Sequence, residues 1–198
     1  MSLLSGWGYR MKQKLFIDFD NTIVNSTKAF CNIYNLRYYN HPNYIKADWQ
    51  KSYLYNFGDV CPLLKTKEEV ENIFCSETFF SVLEFVNNNT VDVIDDLSKK
   101  YQIIITSIGW PKNIALKSLW IENKLPMIKE FILINNGDCA MDKRIVDMSN
   151  GIILDDVESN LISSNADLKV CFGYKHDKNN NWLGEHCVDW EDVREKLL

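Results

Sequence analysis

Two aspartates near the start of the chain have the type and spacing that phosphate chemistry requires. Asp18 and Asp20 come at the end of a short apolar run and are separated by one residue. Alternate residues of an extended segment point to the same side, so the two carboxylates share one side of the chain. One of them can attack phosphorus as a nucleophile while the other donates a proton to the leaving oxygen.

Five later residues carry side chains that complement this pair. Asp155 and Asp156 end another apolar run, Lys143 precedes that run, and Thr106 and Ser107 end a third. Carboxylates that converge repel one another unless a cation neutralises them, and Mg²⁺ prefers oxygen ligands. The set therefore predicts a magnesium site beside hydroxyls and an ammonium that bind the transferring phosphate oxygens.

The elements that must position these residues alternate between predicted strands and helices. Apolar runs predict buried strands at 14–18, 102–106, 131–135, 151–156 and 169–174. Helical patterns are predicted at 25–39, 66–75, 76–85, 90–101, 111–124, 157–164 and 190–198. This alternation predicts an α/β fold with a doubly wound parallel sheet, whose ligands bind beyond the carboxyl ends of the strands.

One long segment lacks the alternation and is predicted to form a helical cap inserted after the first strand. The cap would span residues 28–86, and the catalytic core would comprise residues 11–27 and 87–198. Ser26 and Thr90 are expected to cap helices, and Thr66 with Glu69 predicts a capping box.

Each candidate has an ordinary structural explanation when it is taken alone. Paired aspartates at a strand end are common turn residues, Asp155 and Asp156 could cap a helix, and Lys143 could be a surface lysine. The dense tyrosines and tryptophans of the insertion are expected to fill its own core. The functional interpretation is favoured because order, position at strand ends and residue type agree at four separate points.

The segments FIDFDNTIV, IIITS, MDKR and GIILDD, in this order, resemble the four motifs of the haloacid dehalogenase superfamily. The resemblance implies a Mg²⁺-dependent phosphatase with Asp18 as nucleophile and metal ligand. It implies that Asp20 is the acid/base and binds the metal through its backbone carbonyl. By the same resemblance, Thr106 and Lys143 bind phosphate. Asp155 and Asp156 would hold Mg²⁺.

A narrower resemblance links much of the chain to the 5′(3′)-deoxyribonucleotidases. SETFFSVLEFVNNNTVDVIDDL is similar to the segment that brings two phenylalanines up to the strand before the threonine, here Phe79 and Phe80. The stretch KSLWIE resembles that family's K-x-x-W-[VI]-E and implies that Lys117 is a second phosphate contact. The end of the chain, KVCFGY and VDWEDVREKLL, also resembles that family.

Three positions depart from these patterns. Asn21 replaces the glycine that often follows the second aspartate, and Ser26 stands where deoxyribonucleotidases tend to have an aromatic residue lining the base pocket. Residues 108–110 replace a proline-containing loop and lack its lysine. The hydrolytic interpretation does not depend on these positions, whereas the choice of sugar and base does.

Composition narrows the range of partners and compartments. The 198 residues carry 22 basic and 27 acidic side chains, a net charge of −5, which disfavours duplex nucleic acid as a partner. Apolar residues make up 46% of the chain without a run long enough to span a membrane. The six cysteines form no CxxC pair, and the first residues do not resemble a signal peptide, so a reducing, cytoplasmic location is expected.

The function predicted from the sequence is Mg²⁺-dependent hydrolysis of deoxynucleoside 5′(3′)-monophosphates through an aspartyl-phosphate. The expected partner is a small nucleotide, and a homodimer is compatible with the sequence. One alternative is a phosphatase of the same superfamily acting on a sugar phosphate or a nucleic-acid end. A phosphoacceptor signalling domain is disfavoured because there the paired acids precede the acceptor aspartate. An inactive binding descendant is disfavoured because no catalytic position is missing.

Overall fold

The computed structural model describes residues 12–52, 57–135, 142–173 and 182–198. Its strands form one six-stranded sheet in the order β3-β2-β1-β4-β5-β6, with every neighbouring pair parallel. The strands are β1 Lys14–Asp18, β2 Gln102–Gly109, β3 Glu130–Asn135, β4 Ile152–Asp155, β5 Leu168–Phe172 and β6 Glu185–Cys187. The predicted fold class, an α/β doubly wound parallel sheet with a helical insertion after the first strand, is confirmed.

Helices occupy most of the described connections between the strands. They are α1 Ser26–Tyr38, α2 Phe57–Val60, α3 Lys67–Phe74, α4 Glu77–Ser81, α5 Thr90–Lys100, α6 Pro111–Lys124, α7 Glu158–Ser163 and α8 Trp190–Leu197. A 3₁₀ turn covers Trp49–Lys51. Pro111 starts α6 because a first-turn residue needs no backbone N–H donor, as the sequence predicts.

Three helix caps test the sequence expectations at the level of single residues. The capping box of Thr66 and Glu69 is present at the start of α3. The cap of α1 is Asn25, whose side chain accepts a hydrogen bond from the Lys28 N–H, so the expected cap at Ser26 is one residue off. Thr90 is the first residue of α5 rather than its cap, and its hydroxyl donates to the carbonyl of Asn87.

The sheet separates two apolar layers. Leu15 and Ile17 of β1 face a large core that also contains buried residues of α5, α6 and α8. Phe16, between them, faces a smaller core that includes Leu161 of α7. This alternation follows from the two-residue period of a strand and leaves β1 buried on both faces.

The insertion between β1 and α5 packs around aromatic rings. Phe30 of α1 stacks on Phe57 with ring centroids 3.8 Å apart, and it lies 4.9 Å from Phe74 of α3. These rings belong to the same buried cluster as the larger core of the sheet. The helical character of the insertion is therefore observed, while its division from the core at residues 28 and 86 stays a prediction.

Some element boundaries differ from the predicted ones. β2 continues to Gly109 because it pairs with β3 up to Asn135, so Thr106 and Ser107 lie within the strand. β6 was not predicted, since its three residues are too short to show a period. The predicted helix at 76–85 shortens to Glu77–Ser81. No helix among the described residues is long and apolar enough to cross a membrane.

Candidate active site

The carboxyl edge of the sheet brings the predicted residues of three strands together. Asp18 ends β1 and is the register partner of Thr106 on β2. On its other side, β1 pairs with β4 with Ile17 opposite Leu154, which places Asp155 next to Asp18 at the strand ends. The strands β2 and β3 extend the sheet on one side of β1, and β4, β5 and β6 then extend it on the other side. The point at which the strand order changes sides is called the switch point, and open α/β sheets bind their ligands there.

Three carboxylates form a tight group at this edge. One oxygen of each of Asp18, Asp155 and Asp156 lies within 4.8 Å of the other two. Asp18 and Asp155 are buried, and Asp156 is half-buried. Burial removes the water that would otherwise screen their repulsion, so this arrangement requires positive charge nearby.

Lys143 supplies one such charge from the loop before β4. Its ammonium is fully buried and donates to Asp18 Oδ1 at 2.5 Å, to Asp155 Oδ2 at 2.6 Å and to the carbonyl of Thr106 at 2.9 Å. These three acceptors match the three N–H donors of a lysine. Met141, the first residue of the MDKR segment, lies outside the described residues.

Asp155 and Asp156 differ in what already contacts them. Asp155 Oδ1 accepts from the Val157 N–H at 2.9 Å, and the Asn160 amide lies 3.1 and 3.2 Å from its two oxygens. Asp156 Oδ1 is buried and has no hydrogen-bond partner among the described residues. A buried, unpaired carboxylate oxygen beside two other carboxylates fits the ligand set of a hard divalent cation.

The charges of this group show in the pKa values of its members. Burial raises the pKa of Asp18 to about 7, with Asp155 and Asp20 adding to the rise and Lys143 opposing it. Burial followed by repulsion from Asp18 raises the pKa of Asp156 well above its usual range. Burial alone would lower the pKa of Lys143, but attraction to Asp155 and Asp18 leaves that pKa raised. The single positive charge of Lys143 therefore does not neutralise the three carboxylates.

Asp20 is held on both of its oxygens. Oδ1 accepts from the Ser26 hydroxyl at 2.5 Å. Oδ2 accepts from the Lys117 ammonium and lies 3.3 Å from the Ser107 hydroxyl. Lys117, a buried residue of α6, also donates to Ser107 Oγ at 2.7 Å and to the carbonyl of Ile108 at 3.2 Å. The structure thus places Asp20, Ser107 and Lys117 in direct contact.

The turn after Asp20 explains one departure from the superfamily pattern. Asn21 has a φ of 55°, in the left-handed region that glycine adopts freely and that asparagine tolerates better than most residues. Its side-chain carbonyl accepts a hydrogen bond from the Thr27 N–H at 3.1 Å, a contact that glycine could not make. Asparagine therefore satisfies the same backbone requirement and ties the turn to α1.

The predicted base-stacking residues lie in the aromatic core of the insertion. Phe79 is fully buried, with its ring centroid 5.0 Å from Phe74 and 5.3 Å from Phe80. Phe80 is 8% exposed. Trp110, at the start of α6, lies 6.1 Å from Phe74. In this structure Phe79 has no face open to a ligand, so a base-stacking role for either phenylalanine stays a prediction.

Two residues at the site escaped the sequence analysis in their observed roles. The sequence indicates Ser26 only as a helix cap and as a position lining the base pocket, yet its hydroxyl contacts Asp20. Asn160 was not considered, and it supports Asp155 from the first turn of α7. The available signal was spacing, since each lies at the start of the helix that follows a catalytic strand. Thr106 Oγ1 is buried without a hydrogen-bond partner among the described residues.

Solved structures with similar folds include haloacid dehalogenase-like hydrolases and phosphatases. A haloacid dehalogenase-like hydrolase from Streptococcus pneumoniae aligns with a TM-score of 0.64 at 12% identity, covering 94% of this chain and 99% of its own. A predicted phosphatase from Clostridium acetobutylicum gives 0.66 at 11% identity, covering 94% and 98%. A magnesium-bound haloacid dehalogenase hydrolase from Bacillus subtilis gives 0.53 at 12% identity, covering 95% and 99%. No curated protein matches the chain.

The sheet, its switch point and the aspartate motifs define a phosphatase of the haloacid dehalogenase superfamily. Within that class, the family model described as "5′ nucleotidase, deoxy (Pyrimidine), cytosolic type C protein" matches residues 12–198. The chain belongs to this family. The resemblance inferred from the sequence, both to the superfamily and to the deoxyribonucleotidases, is confirmed.

Proposed function

We propose that the protein is a Mg²⁺-dependent phosphomonoesterase that hydrolyses deoxynucleoside 5′(3′)-monophosphates through an aspartyl-phosphate. The observation that carries this proposal is the convergence of Asp18, Lys143 and two further carboxylates at the switch point, with Asp20 held close by. Membership of the deoxynucleotidase family supports the substrate class.

The chemistry divides between the two aspartates of the first motif. A carboxylate oxygen of Asp18 attacks phosphorus, the bond from phosphorus to the ester oxygen breaks, and Asp20 gives its proton to that oxygen. Water then attacks the phosphorus of the aspartyl-phosphate and gives a proton to Asp20, and the bond from phosphorus to the Asp18 oxygen breaks. Phosphate leaves, and both aspartates return to their starting states.

The phosphate oxygens require donors on the side of β2 and α6. Thr106 and Ser107 can donate hydroxyl hydrogen bonds, and the Thr106 hydroxyl has no competing partner among the described contacts. Lys117 is positioned beside Ser107 and can transfer its hydrogen bonds from Asp20 to an arriving phosphate. Lys143, which donates to Asp18, would also offer its positive charge to the phosphate oxygens.

The metal site would be formed by Asp18, Asp156 and the backbone carbonyl of Asp20, with Asp155 adjoining. Asp156 offers an unpaired oxygen, whereas the oxygens of Asp155 are already bound to Lys143 and Asn160. A bound Mg²⁺ would neutralise the carboxylates and the phosphate oxygens together.

The nucleoside would be recognised by the insertion that follows β1. We propose that Phe79 or Phe80 provides a stacking face for the base after the insertion adjusts. A deoxyribose is favoured because an extra hydroxyl in a closed pocket needs a polar partner. The protein would act in the cytoplasm. Its substrates would be free nucleotides rather than duplex nucleic acid or membranes. Analytical sedimentation would show whether it forms a homodimer.

A panel of phosphate esters measured with and without Mg²⁺ tests the proposal. Deoxynucleoside monophosphates, above all pyrimidine ones, should release phosphate faster than ribonucleotides and sugar phosphates. Excess chelator should abolish the activity and Mg²⁺ should restore it. Equal rates on deoxynucleotides and sugar phosphates would assign the protein to another specificity in the same superfamily. Full activity in chelator would disprove the metal assignment.

A further inference from the structure

We propose that Ser26 is a positioning residue that fixes the orientation of Asp20 for proton transfer. This inference rests on the proposed function, in which Asp20 is the acid that protonates the leaving oxygen. It assigns a role to a residue at which the chain departs from the aromatic side chain expected in deoxyribonucleotidases.

The two oxygens of Asp20 have different surroundings. Oδ2 contacts Ser107 and Lys117, the residues proposed to bind phosphate, and therefore lies on the substrate side. Oδ1 lies 2.5 Å from the hydroxyl of Ser26, which donates to it. The geometry therefore assigns Oδ2 as the oxygen that faces the substrate and gives the proton once the phosphate has drawn Ser107 and Lys117 away, and Oδ1 as the oxygen that anchors the side chain.

The anchor keeps its function when substrate binds. An arriving phosphate competes with Asp20 for the hydrogen bonds of Ser107 and Lys117, because an oxyanion is a strong acceptor for both. Among the described hydrogen bonds to the Asp20 side chain, only that of Ser26 comes from outside this phosphate-binding group. Without Ser26, Asp20 would lose its restraints at the moment when its orientation matters.

Ser26 is itself held rigidly. It is fully buried and is the first residue of α1, directly after the cap Asn25. The Asn25 N–H donates to the carbonyl of Glu84 at 2.9 Å, and Val24 forms an antiparallel bridge with Phe85. The two chain connections of the insertion therefore meet beside Ser26. A movement of the insertion relative to these connections would therefore move the Ser26 hydroxyl and, through its hydrogen bond, the side chain of Asp20.

The test compares two substrates that differ in their need for an acid. A deoxynucleoside monophosphate loses an alkoxide, which requires a proton, whereas p-nitrophenyl phosphate loses a stabilised phenolate, which does not. The value of kcat/KM is the correct measure, because it reports steps up to the departure of the leaving group and excludes the later hydrolysis. The variants are Ser26→Ala, Asp20→Asn as the reference, and Ser164→Ala as the control. Ser164 is also a buried serine, and its hydroxyl donates to the carbonyl of Leu161.

Ser26→Ala should lower kcat/KM for the deoxynucleotide by roughly tenfold to a hundredfold, the scale of a misplacement of about 1 Å. Its kcat/KM for p-nitrophenyl phosphate should stay within about twofold of the parent value, and Ser164→Ala should leave both substrates unaffected. Equal losses on the two substrates, or no loss on either, would overturn the proposal for Ser26. If Asp20→Asn itself showed no selective loss on the nucleotide, the role of Asp20 in the proposed function would fail instead.

Discussion

Lys143 is a fully buried cation that holds two carboxylates of the site at once. Burying charges is unfavourable unless they are paired, and removing one partner leaves the others uncompensated. The sequence predicts this lysine as a phosphate contact. Its hydrogen bonds to Asp18 and Asp155 also pair two buried carboxylates with a cation, and we expect this pairing to stabilise the folded state.

Replacing this cation should therefore affect stability as well as turnover. In chelator at slightly alkaline pH, Lys143→Met is expected to lower the free energy of unfolding by about 3–5 kcal/mol, because Asp18 and Asp155 lose their common partner. Denaturant unfolding measures this loss, and added Mg²⁺ should recover part of it. The matched control is Lys129→Met, since Lys129 is exposed. Unchanged stability of Lys143→Met would contradict this role.

The two adjacent aspartates after β4 are expected to differ in their contribution to the metal. Asp156→Asn should weaken Mg²⁺ binding by more than about a hundredfold, because it removes a direct ligand. Asp155→Asn should weaken it by only about tenfold and should lower kcat mainly through the loss of orientation of Lys143. Calorimetric titration with Mg²⁺ measures both affinities. The reverse ranking would make Asp155 the principal ligand.

At the scale of secondary structure, the sequence predicted the elements more reliably than their ends. Apolar runs such as the one at β1 are strong signals because a strand covered on both faces contains few polar residues. The cap of α1 was misplaced by one residue because Asn25 and Ser26 are both good caps, and only the backbone decides between them.

The aspartates of the catalytic set could be predicted from the sequence because each lies at the end of an apolar strand or within two residues of it, and parallel strands end at one edge. The contacts from the following helices could not be read in this way. The bond from Ser26 to Asp20 depends on a left-handed turn at Asn21, and a single sequence does not reveal that geometry. The burial of Phe79 depends on packing against other helices, as in its contact with Phe74 of α3, and a single sequence does not reveal such tertiary contacts.

The prediction about substrate specificity concerns two residues of the helix α4, Phe79 and Phe80. Phe80→Ala should lower kcat/KM for deoxynucleotides by roughly tenfold to a hundredfold if its ring stacks on the base, since such contacts contribute about 1–3 kcal/mol. Activity on p-nitrophenyl phosphate, which has no nucleobase, should change little. Phe79→Ala is expected to show the same selectivity with a larger loss of stability, because Phe79 is fully buried.

Val82→Ala provides the control for these variants, since Val82 directly follows the last residue of the same helix and is 42% exposed. Kinetics on both substrates, together with thermal unfolding of each variant, separate recognition from packing. Equal losses on the two substrates would show that the two phenylalanines serve only the core of the insertion.

At the scale of the whole molecule, the aspartate group couples stability to pH and to metal. Burial raises the pKa of Asp18 from its ordinary value of 3.8 to about 7 in the folded protein without metal. Between these values the folded state binds more protons than the unfolded state does. The stability contributed by this group is therefore complete below about pH 4 and is lost as the pH rises through about 7.

The thermal unfolding temperature in chelator should accordingly fall between about pH 5 and pH 8. A bound divalent cation replaces the protons, so Mg²⁺ should remove most of this fall, and the affinity for Mg²⁺ should increase with pH over the same range. Asp18→Asn should flatten the profile in chelator. A melting temperature in chelator that rises steadily from pH 5 to pH 8 would show that the carboxylates are not held as described.

The position of β1 at the centre of the sheet also determines how the chain can acquire its structure during synthesis. The strand β1, the first of the described strands in chain order, pairs Leu15 with Ile103 on one side and with Ile152 on the other. The strand β2 is made only after about half of the 198 residues, and β4 only after about three quarters, so both edges of β1 stay unpaired until then. Contacts so distant in sequence slow folding, and exposed strand edges favour aggregation. The strand order that forms the catalytic edge therefore delays the folding of the nascent chain until β2 and β4 have been made.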